Sequence, residues 1–202
     1  MADSLYLSLW FPAFELPEIL PRTVSVLQQL PFSPARPGVT YAAVHPVSWA
    51  EPTILERRFV PGVPPEQAAG AVADFLHDDY AYVFEAYWDL WSPVPGANMA
   101  GAEPWQLEPS LIRAVAHGLE FEENAAAASG HIQIDFGVDT PFLHEEVALT
   151  VEAENRVRSN VQALVEFTAK VEKNSGATGR LLWSESEENL AHKLINRLQK
   201  AN

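Results

Sequence analysis

Residues 81–91, AYVFEAYWDLW, alternate without a break over eleven positions. Tyr82, Phe84, Ala86, Trp88 and Leu90 fall on one side, and Val83, Glu85, Tyr87, Asp89 and Trp91 on the other. Side chains on a strand alternate between faces, so this period of two predicts a strand with one wholly apolar face. The other face displays two carboxylates between aromatic rings. A chain built around such a strand must cover one sheet face and leave the other partly wet, which points to a mixed architecture with helices on one side.

The neighbouring segments fit that plan. Residues 4–10, SLYLSLW, alternate as a second half-buried strand, with Tyr6 and Trp10 on its more polar side. Pro17 or Pro21 can open a helix with Leu20, Val24 and Leu27 as its stripe. Residues 39–47 and 54–60 read as strands, and Ala68, Val72, Phe75 and Leu76 line a helix after Pro64 and Pro65. The order to residue 92 is therefore β-α-β-β-α-β, which predicts a ferredoxin-like first half.

Residues 93–109 are rich in proline and glycine and predict a linker. Residues 110–202 then read as a second α+β half, packed with the first or separate from it. Residues 110–121 and 131–138 are expected to pair as an antiparallel hairpin. Residues 146–152 alternate as a further strand, with a helix start as the alternative. Residues 155–173 carry a helical stripe of Val157, Val161, Leu164, Val165, Thr168 and Val171, stopped by Asn174, Ser175 and Gly176. A short strand at 180–183 and a last helix bearing Leu190, Leu194 and Leu198 complete the chain, with Ser184 and Glu187 matching a capping box.

Charge and composition narrow the function. The 202 residues carry 13 Lys and Arg against 27 Asp and Glu, a formal net charge of −14. Residues 1–100 hold four basic and eleven acidic side chains, with no lysine, and the remainder holds nine and sixteen. The excess acid is spread over both halves rather than confined to a tail. Nucleic-acid binding is not expected, because phosphate neutralisation needs clustered Lys and Arg. Absence of cysteine excludes disulfides, thiolate metal ligands and a cysteine nucleophile. No run of apolar residues is long enough to span a membrane, and the N-terminus lacks a basic segment before its apolar run, so a cytoplasmic protein is expected.

Two groups of residues invite a functional reading. Tyr6, Trp10, Glu85, Tyr87, Asp89 and Trp91 would share the open sheet face. Rings interleaved with carboxylates suit a small ligand or a basic protein partner. Glu85 and Asp89 lie two pleats apart, roughly 13 Å between Cα atoms, which is wide for a paired acid and base. The second group is His117, His131 and Asp135 on the predicted hairpin. Two histidines and a carboxylate can hold a divalent metal and would make the chain a metal-dependent enzyme. There is no glycine-rich phosphate loop, dinucleotide fingerprint or nucleophile elbow. The leading expectation is a non-enzymatic binding protein with an acidic, aromatic sheet face; no cofactor can be named, and self-association is compatible with an open face.

Overall fold

The computed structural model describes residues 3–94, 105–123, 125–144, 149–185 and 189–199. Seven strands form one antiparallel sheet: β1 (Ser4–Trp10), β2 (Val39–Pro46), β3 (Leu55–Val63), β4 (Tyr80–Pro93), β5 (Trp105–His117), β6 (Ile132–Val138) and β7 (Gly179–Ser184). Their order across the sheet is β3-β2-β4-β5-β6-β1-β7. The helices are α1 (Ile19–Leu27), α2 (Pro65–Gly70), α3 (Ala125–Ser129), α4 (Thr140–Leu143), α5 (Val151–Ser175) and α6 (Leu190–Gln199).

The alternation of β4 works as the sequence predicts. Tyr82, Phe84, Ala86, Trp88 and Leu90 are all buried in the main core, with Leu5, Leu7 and Leu9 of β1 beside them. Ile19 and Leu27 of α1, Ala68 of α2 and Val161, Leu164 and Phe167 of α5 close the same core from above. The fold is thus a sheet with helices covering one face, as one-sided amphipathic strands require.

The β-α-β-β-α-β order of the first half is present, but the strands do not assemble in the ferredoxin-like manner. That arrangement needs the first strand among the other three. Here β1 lies between β6 and β7, separated from β4 by β5 and β6. Order along the chain was readable from periodicity; partner choice depends on matching faces from distant segments, which periodicity does not encode.

The expected linker is also partly strand. β4 and β5 pair without a break from Ala81–His117 to Pro93–Trp105, so residues 105–109 belong to β5. Residues 95–104 lie outside the described residues. Pro109 is accommodated opposite Asp89 within this pairing. The long β4–β5 ribbon carries the first half of the sequence into the second within one sheet.

Residues 151 and 152 open α5 rather than ending a strand, and 145–148 lie outside the described residues. Thr150 caps the helix, its hydroxyl accepting the Ala153 N–H at 3.2 Å, and Gly176 ends it in the left-handed conformation with φ 78°. Val157, Val161, Leu164 and Val171 face the core, but Val165 is exposed and Phe167 takes the inward position instead. The helix α2 is shorter than its pattern suggested, and Phe75 is exposed in a separate short turn. Glu187 of the proposed capping box lies outside the described residues; Ser184 ends β7. No helix among the described residues is long and apolar enough to cross a membrane.

One side chain ties the helix layer to the sheet. Beyond Val39–Ala86 no pairing of β4 with β2 continues, so the far end of β4 needs other partners for its backbone. The Ser33 N–H serves Tyr87 O at 2.7 Å, Phe32 bridges to Trp88, and Asn160 of α5, 2 % exposed, serves Trp91. The Asn160 Oδ1 accepts the Trp91 N–H at 2.9 Å, and its Nδ2 donates to Trp91 O at 2.9 Å and Pro141 O at 2.8 Å. Replacing Asn160 with Ala would leave two carbonyls and one amide short of partners, and unpaired buried polar groups are costly. The expected loss is about 2–3 kcal/mol in urea unfolding, against a change near zero for the exposed neighbour Ser159→Ala.

Candidate functional site

The face of the sheet opposite the helices is built in rows, because antiparallel partners stand side by side. One row takes a residue from every strand: Arg58, Tyr41, Glu85, Arg113, Asp135, Tyr6 and Trp183, each paired with the next. Its members interact along its length. The Arg58 guanidinium lies 5.7 Å from the Tyr41 ring centre. Arg113 donates to Glu85 Oε1 at 3.1 Å through Nη2 and at 3.3 Å through Nε. Tyr6 stacks on Trp183 with ring centres 4.7 Å apart.

The next row inward is small and apolar at its centre: Ala43, Val83 and Val115, followed by Gln133 and Ser8. The third holds His45, Ala81 and His117. A cavity of about 580 Å³ stands over these three rows. Trp49, from the β2–β3 loop, and Glu122, Ala125 and Ser129, from the segment between β5 and β6, form its walls. Phe121 of that segment is fully buried on a small second core with Ala43, Ala81, Val83 and Val115. Trp49 meets His45, His117 and Phe121 edge-on, at 4.8, 6.2 and 5.1 Å between ring centres.

The two walls are joined through the backbone: Glu122 N–H donates to Val47 O at 2.9 Å, and Val47 N–H to Asp79 O at 2.8 Å. Val47, Glu122 and Glu123 all have positive φ, at 59°, 44° and 49°. L residues occupy that region at a cost, a β-branched valine most of all. Residues held so are over-determined by their surroundings and cluster at binding and switch sites.

Burial biases His45, His117 and His131 toward the neutral form. His117 is 2 % exposed, and burial lowers its pKa below the usual imidazole value. Its Nδ1 stands 2.9 Å from Gly130 O, which can only accept, so Nδ1 carries the proton and Nε2 the lone pair. His131 shows the opposite arrangement. Its Nδ1 accepts the Phe11 N–H at 3.0 Å, so Nε2 is protonated, and burial again lowers its pKa. His45 is lowered for the same reason. Tyr41 is raised, first by burial and then by the nearby Glu56 and Glu85 carboxylates.

The sequence-derived ligand residues are divided by this geometry. Tyr6 and Glu85 line the large cavity. Tyr87 lines a smaller adjoining one of about 360 Å³ with Glu85 and Tyr41. Asp89 and Trp91 lie further along β4, opposite Pro109 and Leu107, and Trp10 stands opposite Gly179 at the β7 edge. Two of these rings are covered from within the chain. Arg36 covers Tyr87 at 4.4 Å and Arg156 covers Trp91 at 4.7 Å, so the chain's own guanidiniums sit on both rings.

His117, His131 and Asp135 do not converge. Gly130, with φ 98°, ends the strand alternation before β6 begins at Ile132. His131 therefore leaves the open face and stacks on Phe14 at 4.5 Å. Asp135 is paired with Arg113 across the strands and accepts the Gly137 N–H at 2.7 Å. Among the described residues no three His, Asp or Glu side chains are grouped to hold a metal ion.

Tyr41, Trp49 and Arg58 of the site carry no signal in the sequence, and His45 reads there only as a strand-end histidine. They meet Glu85, Arg113 and His117 only through pairing between strands far apart in the chain. No family model, curated protein or solved structure matches the chain.

Two outcomes follow for solution measurements. The folded state binds protons at His117 and His131 less readily than the unfolded chain, whose histidines titrate near 6.5. Their contribution to stability is thus full above about pH 6.5 and is lost as pH falls through their lowered folded values. Thermal unfolding followed from about pH 7 down to about pH 5 should show a falling Tm, and His131→Leu should flatten that fall. Replacing Val47 with Gly should raise stability by about 1 kcal/mol, because Val47 is 53 % exposed and its positive φ no longer costs energy. A lower midpoint in denaturant would contradict the assigned strain.

Proposed function

We propose that this chain is a binding protein, not an enzyme, and that it takes a small, partly aromatic ligand on the open face of its sheet. The observation that carries the reading is the half-enclosed cavity of about 580 Å³ on whose floor Glu85 and Arg113 are already paired. Its size is ordinary for a small-molecule site. Its walls offer the rings of Trp49 and Tyr41, and its floor offers the His117 imidazole with Nε2 as an acceptor. Strained backbone at the rim supports the same assignment.

The state of the carboxylates supports binding over catalysis. A general acid or base must be free to exchange its proton with a substrate. Glu85 is held by Arg113, and Asp135 accepts the Gly137 amide. The same facts favour a small ligand over a basic protein partner. Such a partner would have to displace Arg113 from Glu85 and Arg36 from Tyr87 before it met the acids and rings.

A fragment screen by amide NMR tests the proposal. Hits are expected to shift resonances of residues 41, 45, 49, 115 and 117 and to quench tryptophan emission through Trp49. Gln133→Trp, which places a large ring on the cavity floor beside Val115, should abolish those responses and leave the circular dichroism spectrum unchanged. Hits that fall on the helix side, or persist in Gln133→Trp, would overturn the site.

A further inference from the structure

Acids outnumber bases 27 to 13 in this chain, and residues 1–100 hold only four basic side chains. Two of those four, Arg36 and Arg58, line the same smaller cavity of about 360 Å³ at the edge of the open face. Each guanidinium lies over a tyrosine ring, Arg36 on Tyr87 at 4.4 Å and Arg58 on Tyr41 at 5.7 Å. The one carboxylate lining this cavity, Glu85, is spent on Arg113, and Glu56, which hydrogen-bonds Tyr41, lies outside the lining. Neither Arg36 nor Arg58 has an ion-pair partner among the described residues. In a strongly acidic chain, two arginines gathered at one cavity whose only lining carboxylate is already paired form a local positive field.

The turn that carries Arg36 is fixed in place. A side-chain carbon on Gly62 would lie 2.1 Å from Pro37 O, and one on Gly38, which has φ 74°, would lie 2.5 Å from Val63 O. Only glycine at both positions allows the 35–38 turn to sit this close to the end of β3. A guanidinium held over a ring still has N–H groups to donate and loses little further freedom on pairing. Those groups match the two oxygens of a carboxylate or phosphate.

We infer that the smaller cavity is the anion-binding end of the ligand site: Arg36 and Arg58 take an oxyanion, and the attached ring lies against the apolar wall of Phe59 and Pro61. The inference rests on the proposal that the open face is a ligand site, and it specifies the charge of what binds there. It also reverses the sign that the overall composition suggested, since an acidic chain is otherwise expected to attract cations.

The test is calorimetry and amide NMR on the full chain with four probes: benzoate, phenyl phosphate, benzyl alcohol and benzamidine. Benzoate or phenyl phosphate should shift residues 36, 41, 58 and 87 and bind about tenfold or more tighter than benzyl alcohol, with the gap closing as salt is raised. The stronger of the two anions identifies a carboxylate or a phosphate source. Arg36→Gln with Arg58→Gln should erase the gap and leave benzyl alcohol unaffected. Both side chains are exposed, so the fold should persist; Arg36→Lys with Arg58→Lys keeps the charge and should retain part of the preference. Benzamidine or benzyl alcohol perturbing the face while both anions fail would overturn the anion assignment alone. Anion affinity unchanged in the double Gln variant would do the same. Silence of all four probes across the open face would remove the ligand site with it.

Discussion

The pairing of β4 with β5 is the constraint on which the rest depends. It runs from Ala81–His117 to Pro93–Trp105 and places the first and second halves of the sequence in one sheet. A slip of one residue would turn every side chain of one strand to the wrong face. If that strand were β4, Phe84 and Trp88 would meet water and Glu85 would enter the core. The register is therefore held by burial on one side and by the Glu85–Arg113 ion pair on the other. The first effect is much the larger. A fully buried Phe or Trp is worth about 2–3 kcal/mol, while a partly exposed ion pair contributes at most about 1 kcal/mol.

From that register the open face follows. Rows of side chains stack across the sheet, and the composition of each row sets its chemistry. Glu85 and Arg113 pair within the charged row, the small row beside it leaves space, and the histidine row closes the far end under Trp49. The cavity exists because Ala43, Val83 and Val115 are too small to fill the volume between Tyr41 and Trp49. Phe121 covers one end of this gap and does not fill the other. The arginines extend the pattern: in a chain poor in basic residues, Arg36, Arg58, Arg113 and Arg156 each rest on a ring or a carboxylate of this face or its edge. Net charge thus describes the surface at a distance, while the local field of the site is set by which few arginines are brought together.

Much of the local structure was legible in the residues. Strict alternation located β1 and β4 and assigned their faces, because period two has one physical meaning on a strand. Helical spacing and Gly176 located α5 and its end. Errors arose where a local pattern had two meanings. Val165 fits a broad helical stripe yet faces outward, because Phe167 is the larger group and takes the inward position. Pro109 reads as a loop residue yet sits in a strand opposite Asp89. The His131 side chain was assigned to the open face by alternation, but Gly130 breaks the strand just before it.

By itself the sequence determined where the main strands and the long helix lie, that one sheet face must be buried under helices, and that Glu85 and Tyr87 look the other way. Those outcomes depend on spacing within a few residues. Only the tertiary structure decided that β1 inserts between β6 and β7, that Tyr41, Glu85, Arg113 and Asp135 form one row, and that His117 and His131 part company. Each of these depends on contacts between residues tens of positions apart, selected by the burial of whole faces, and no local period in the chain records that choice.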